Sequence, residues 1–275
     1  MFRFRTKKNR WRYAAAGVAA AALLLGTIAY MALTPVPEGV VILEYHMVED
    51  DDGLASDERP YNVPPAEFAA QLDYLQQQGY ETITMQDYMR ARKGKQELPE
   101  RAVALTFDDG YEDNYTEVWP SLAQRDMKAT IYMVTNDIGR PRYLDWNELR
   151  DLQAHGIEIG SHTANHQPLT TLDEATQIDE LRLSKLLLEW NGIHTVYSFS
   201  YPNGAYDATL PAKLQQEEYL NAVTGDAGVN TMTTDPYLLQ RVNIPHPRFG
   251  LLEFKLRLWK ANLFTRLGWN QHQLS

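Results

Sequence analysis

Two short segments carry the residue types from which a divalent metal centre is built. The first is Val103-Ala-Leu-Thr-Phe-Asp108-Asp109-Gly110, an apolar run that ends in two adjacent carboxylates. At the end of a buried strand each carboxylate loses water and repels the other, and a metal ion or a shared proton offsets that penalty. Alone, this segment reads equally as a strand entering an Asp-Gly turn with both acids solvated. The second is Gly160-Ser-His162-Thr-Ala-Asn-His166. Residues four apart share a side of a helix, or of a strand end turning into one, so two imidazoles can grip one ion. Two unrelated surface histidines are the alternative. Three ligands from two strand ends with an open position describe a catalytic rather than a structural ion. Two histidines and a carboxylate suit zinc, with cobalt, nickel or iron as further choices.

The elements that must position these residues are legible in the hydropathy pattern. Apolar, β-branched runs occur at 40–46, 81–85, 102–109, 129–134, 157–162, 196–201, 220–224 and 239–244. Helical spacing fills most of the intervals, at 65–78, 113–125, 146–155, 172–190 and 207–217. Strands alternating with helices predict an α/β fold with a parallel sheet, and seven or eight such units predict a distorted (β/α) barrel of about seven strands. In that architecture chemistry sits where strands end. Glu44-Tyr45-His46, Asp108-Asp109, Ser161-His162 and Tyr201-Pro202 all fall at such ends.

Composition narrows the classes further. The chain has no cysteine, so disulfides, thiolate ligands and cysteine nucleophiles are excluded together. Arg3, Arg5, Lys7, Lys8, Arg10 and Arg12 are six of its 26 basic residues, leaving 20 against 36 acids, a charge of −16, for the remainder. Such a domain repels a nucleic-acid backbone. Residues 13–33 are uncharged and mostly apolar, about the length that crosses a bilayer at ~1.5 Å per residue. The basic flank predicts residues 1–12 in the cytoplasm, an uncleaved anchor over 13–33, a Pro-containing linker over 34–39 and everything beyond outside the cell membrane. A cleaved signal peptide is the competing reading. Within 250–275, Leu252, Leu256, Trp259, Leu263 and Leu267 form one helical stripe with Lys255, Arg257, Lys260 and Arg266 around it. The stripe is expected to pack on the barrel, with a membrane interface as the other fate of such a helix.

Thr106-Phe-Asp-Asp-Gly110 and Ser161-His-Thr-Ala-Asn-His166 resemble the first two motifs of the polysaccharide deacetylases, carbohydrate esterase family 4 or the NodB-homology domain. Phe199-Ser-Tyr-Pro-Asn-Gly204 is similar to the third. Leu43-Glu-Tyr-His46 and Gly79-Tyr-Glu-Thr-Ile are similar to the poly-N-acetylglucosamine deacetylase branch. The resemblance covers 40–245 and makes 40–249 the deacetylase domain. It implies that Asp109, His162 and His166 bind one divalent metal ion, with Asp108 as general base for the attacking water. The metal and the backbone N–H near Tyr201 would stabilise the oxyanion, and Tyr201, Pro202 and Tyr111 would meet the substrate. Tyr111, Trp146 and Tyr201 could also stack on sugar faces, or simply pack.

The motifs depart from the family in two places. The Arg that usually precedes the third motif's Pro-Tyr pair is missing from Ser198-Phe-Ser-Tyr-Pro, and Arg241 is the nearest substitute, with ordinary surface charge as the alternative. The late Leu-x-His motif is not clean either, so the general acid is expected to be His46 rather than the proline-flanked His246. The implied activity is removal of N-acetyl groups from an extracytoplasmic N-acetylglucosamine polymer of the cell envelope, first poly-β-1,6-N-acetylglucosamine as in biofilm matrices, then peptidoglycan. An O-acetyl (xylan-type) esterase and a non-catalytic glycan-binding protein are the readings from other classes.

Overall fold

All eight apolar runs become strands in the computed structural model, which describes residues 5–34, 36 and 39–269. They are β1 Val41–Tyr45, β2 Glu81–Ile83, β3 Ala102–Phe107, β4 Thr130–Met133, β5 Glu158–Ser161, β6 Ser198–Ser200, β7 Asn221–Ala227 and β8 Leu239–Asn243. The helices are α1 Arg5–Leu33, α2 Pro65–Gln77, α3 Met85–Arg92, α4 Trp119–Ala123 (entered through a π-turn, Asn114–Val118), α5 Trp146–Ala154, α6 Glu174–Trp190, α7 Leu210–Gln216 and α8 Leu251–Leu267. Arg3, Pro35, Pro37 and the tail 270–275, on which part of the N-terminal, linker and C-terminal expectations rest, lie outside the described residues.

Seven strands close a parallel barrel in the order β1-β8-β7-β6-β5-β4-β3, and β3 returns to β1 through five register pairs from Val41↔Val103 to Tyr45↔Phe107. The eighth, β2, stands outside the ring. It pairs with Ala102–Ala104 on the first half of β3, while β4 takes Thr106 and Phe107 on the second half. The barrel is distorted where β5 meets β6 at a single pair, Ser161↔Phe199, and where β7 shifts register against β8 between Val223 and Ala227.

Because successive side chains alternate across a strand, the buried residues divide into two layers. Leu43, Tyr45, Leu105, Phe107, Ile131 and Phe199 pack outward against Phe68 and Leu72 of α2, Leu149 of α5 and Leu181 of α6. Ile42, Ala104, Tyr132, Val223 and Leu239 form the second layer with Met85, Tyr88 and Met89 of α3. No helix is expected at α3, because Met85 reads as the end of the preceding strand. Thr84 and Asp87 form a capping box that starts the helix there. Its first N–H groups bond Thr130 Oγ1 (3.1 Å) and Glu158 Oε2 (2.7 Å), at the first residues of β4 and β5. Helix α3 therefore plugs the N-terminal end of the barrel and leaves the C-terminal end free for chemistry.

Helix α8 packs on the barrel, but with another face than expected. Phe254, Leu258 and Ala261 are buried, Phe254 edge-on to Tyr74 at 6.1 Å, whereas Leu252, Leu256 and Leu267 of the predicted stripe are exposed. The helix has apolar residues on both sides, so spacing alone does not select the one that docks. Helix α1 carries a 19-residue stretch, Tyr13–Met31, that is long and apolar enough to cross a membrane and is not buried by the rest of the chain.

The interior tolerates no added atom at Gly160. A Cβ there would lie 2.6 Å from the Tyr132 ring and 2.8 Å from the Ser198 carbonyl oxygen. Gly160→Ala is therefore expected to destabilise the barrel by about 1–3 kcal/mol, the usual range for overpacking, measured by urea denaturation.

Candidate active site

The acidic pair is split by backbone geometry. Asp109 and Gly110 both adopt left-handed conformations, with φ of 72° and 78°. This abrupt turn at the end of β3 sends Asp108 to the barrel interior and Asp109 to the rim, so the two carboxylates serve different partners. Left-handed backbone at a non-glycine residue costs about 1–2 kcal/mol and is retained where the surroundings enforce it.

Asp108 is held by a fork. Arg241 of β8 donates from Nη1 to Oδ1 and from Nη2 to Oδ2, both at 2.8 Å, and Ser200 Oγ donates to Oδ2 at 3.0 Å. Arg241 is 1% exposed, donates through Nε to the Thr224 carbonyl (3.0 Å), and also lies 3.2 Å from Glu44 Oε1 on β1. Burial alone would raise the Asp108 pKa, but the Arg241 charge, His162 and the hydrogen bonds outweigh it and hold the carboxyl below its ordinary value. Glu44 goes the other way. Burial pushes it up to about 7, against the pull of Arg241 and with the repulsion of Asp108. One guanidinium thus faces two buried carboxyl groups, of which Asp108 has the bidentate share.

The second cluster is Asp109, His162 and His166. Asp109 Oδ1 lies 3.6 Å from His162 Nε2 and 3.4 Å from His166 Nε2. The spacing of four works here through a loop and not a helix. Thr163 and His166 take left-handed φ values of 66° and 55°, and Glu180 of α6 accepts from the Ala164 and Asn165 N–H groups at 2.9 Å each. His162 Nδ1 is 2.8 Å from the Ser200 carbonyl and so donates to it, leaving the Nε2 lone pair pointed at Asp109. Burial lowers the His162 pKa to about 3, so the ring is neutral, its ligating form. Burial raises Asp109 to about 6. Ligand atoms of a tetrahedral zinc ion at about 2.0–2.2 Å sit roughly 3.3 Å apart, and the two Asp109–histidine distances of 3.4 and 3.6 Å come close to that spacing. The donor set fits a divalent ion.

His46, just beyond β1, belongs to the Asp108 side. One ring nitrogen, a Glu44 oxygen and an Asp108 oxygen lie within 4.8 Å of one another, and the ring leans on Tyr61 at 5.1 Å. Asn114 steadies its backbone by donating to the His46 carbonyl (3.1 Å). His246 is instead paired with Asp51, at 2.9 Å, and is in neither cluster.

The residues expected to meet a sugar are placed differently. Tyr201 is fully buried, its hydroxyl donates to the Tyr237 carbonyl (3.1 Å), and its N–H donates to the Val223 carbonyl (3.1 Å). Neither its ring nor its N–H is offered to a ligand, because the ring is buried and the N–H, one residue beyond β6, still bonds to β7. Pro202 is buried beside it. Trp146 opens α5 and packs half-buried on the outer core. Tyr111 stays at the rim. It lies beside Asp109 and stacks on Tyr143 at 5.2 Å, lining a groove with Glu49 and Arg142. Three buried residues that orient the site carried a weaker signal. Glu44 interrupts an otherwise apolar strand, whereas Ser200 and Glu180 look ordinary until their partners are known.

Comparison with known proteins points to one family. A family model described as polysaccharide deacetylase matches residues 95–222. YxkH of Bacillus subtilis (strain 168), named as a polysaccharide deacetylase, is 32% identical over 212 residues, covering 77% of this chain and 73% of its own. The poly-β-1,6-N-acetyl-D-glucosamine N-deacetylase of Escherichia coli (strain K12) is 30% identical over 143 residues, which are 46% of this chain and 21% of that enzyme. Among solved structures, deacetylase PplD of Streptococcus pyogenes, in complex with acetate, superposes with a TM-score of 0.72 at 25% identity, covering 83% of this chain and 99% of that one.

Two substitutions separate the charges of the Asp108 cluster. Arg241→Met leaves its carboxyl partners buried without a counter-charge, and a loss of about 3–5 kcal/mol in urea unfolding is expected. Glu44 binds its proton more tightly folded (about 7) than its ordinary 4.5, so the stability tied to that proton is complete below pH 4.5 and is lost as pH rises through 7. Glu44→Gln keeps the neutral shape. Its melting temperature should therefore gain on the wild type as pH rises from about 5 to 8.

Proposed function

From the premise that the chain belongs to the polysaccharide deacetylase family, we propose that it hydrolyses N-acetyl groups of an extracytoplasmic N-acetylglucosamine polymer, with poly-β-1,6-N-acetylglucosamine as the first substrate. The observation that carries this reading is the pairing of one carboxylate held ionised by Arg241 with a separate two-histidine, one-carboxylate cluster beside it. The linkage is suggested by the 30% identity to the Escherichia coli enzyme over 143 residues.

Asp109, His162 and His166 would hold the metal, for which zinc is the first choice on ligand type. Bound there, it supplies Lewis acidity toward the acetyl carbonyl. Asp108 takes a proton from the attacking water. Arg241 and Ser200 occupy three of its lone-pair sites, fix the carboxylate plane and leave one site for that proton. The water oxygen adds to the acetyl carbon, and the carbon–nitrogen bond then breaks. His46 protonates the departing nitrogen, because an amide anion is too poor a leaving group at neutral pH. The products are acetate and a free sugar amine. Residues 13–33 would anchor the chain in the cell membrane, with 1–12 inside, and with 40–249 and α8 outside.

Acetate release from poly-β-1,6-N-acetylglucosamine, peptidoglycan and O-acetyl xylan, with metal analysis of the same preparation, tests the proposal; no release from any of them overturns it. Asp108→Asn should retain the metal and lose about 10²–10⁴-fold in turnover. His162→Ala should lose the metal itself, by elemental analysis. His46→Ala should abolish most acetate release while His246→Ala spares it, and the reverse would reassign the acid.

A further inference from the structure

Outside α1, eight large hydrophobic side chains of the described residues are exposed, and five of them lie on one short segment: Phe249, Leu252, Leu256, Leu267 and Trp269. Leu252, Leu256 and Leu267 recur at helical spacing along α8, on the side away from the buried Phe254, Leu258 and Ala261. A soluble surface scatters such side chains singly and does not line them up. The charge of the same segment is also out of character. Residues 248–269 carry five basic residues, Arg248, Lys255, Arg257, Lys260 and Arg266, against one acid, Glu253, on a chain that is otherwise strongly acidic. Arg59, Arg248 and Arg257 gather around a groove whose wall includes Phe249 and Leu256, so cationic and apolar groups are interleaved.

The C-terminal end of α8 meets the end of α1. Arg266 Nη2 donates to the Thr34 carbonyl (3.4 Å) and hydroxyl (3.1 Å), and its guanidinium lies 6.0 Å from the centre of the Tyr30 ring. The Val36 N–H donates to Asn262 Oδ1 at 3.2 Å. The exposed stripe of α8 thus begins where the long apolar helix ends. An amphipathic helix with basic flanks and large apolar residues rests its apolar face at the boundary between headgroups and acyl chains. Cationic side chains near the surface add attraction to anionic lipid.

We propose that the outward face of α8 is a membrane-contacting surface, seated in the anionic headgroup layer of the bilayer that α1 enters. The proposal rests on the reading of α1 as an anchor, and it adds a second contact that would set how the barrel stands over the membrane. A domain held at two points presents its active-site mouth in a defined direction, whereas one held at a single point is free to turn.

Because the chain has no cysteine, single labels are clean. Full-length protein in phosphatidylglycerol vesicles would carry a nitroxide at Leu252→Cys, Leu256→Cys, Ile28→Cys in α1, or Leu183→Cys, an exposed site on α6. Collision with oxygen should exceed collision with a water-soluble nickel chelate at 252, 256 and 28, and the ratio should invert at 183. Labels at 252 and 256 as open to nickel as 183, with 28 protected, would overturn the proposal and leave the anchor intact. A label at 28 that is open to nickel would overturn both. Protection at 252 and 256 should weaken in phosphatidylcholine vesicles, and equal protection in both lipids overturns the role given to the basic residues.

Discussion

The buried fork between Arg241 and Asp108 is the interaction around which the rest of the barrel is arranged. Its partners come from β8 and the end of β3, and the strand between them, β1, contributes Glu44. These three neighbours form the seam at which the ring closes. Dehydrating ions costs several kcal/mol each, and only close, bidentate geometry with all donors used offsets it. Arg241 meets that condition through Asp108, Glu44, the Thr224 carbonyl and a longer contact to Thr106 Oγ1. Gly160 leaves room for the Tyr132 ring, which a larger side chain would displace.

The same constraint explains how neighbours in sequence acquire opposite properties. Asp108 is ionised because a fixed cation faces it. Asp109, one residue later, has its pKa raised by burial without a cation in contact. A buried carboxylate beside two neutral imidazoles is an environment that a divalent cation would stabilise. The turn that separates the pair is strained, and so is the His162–His166 loop. Ser200 ties the two regions together, its hydroxyl on Asp108 and its carbonyl on His162. Displacing β6 would therefore disturb both clusters at once.

Much of this was legible in advance. The apolar, β-branched runs place the eight strands, and the polar residues at their ends bring Asp108, Asp109, His162 and His166 to the same end of the barrel. The positions of His46 and Arg241 in the chain made them candidates. Their presence beside Asp108 came from strand order. Tyr201 closes an apolar run, and spacing alone leaves open whether its ring packs or meets a ligand; the fold buries the ring and engages its N–H with the Val223 carbonyl. Helix α3 was missed because its capping box begins inside an apolar run.

The sequence by itself determined the local elements and the residue types available at their ends, since alternation, helical spacing and capping act over a few neighbours. Only the tertiary structure decided which distant groups meet. Arg241 finds a carboxylate 133 positions away, and α8 docks one of two apolar faces. The physical reason is that hydropathy records whether a side chain avoids water but carries no direction. Partner and orientation emerge only when a closed ring of strands allows one arrangement of buried charge.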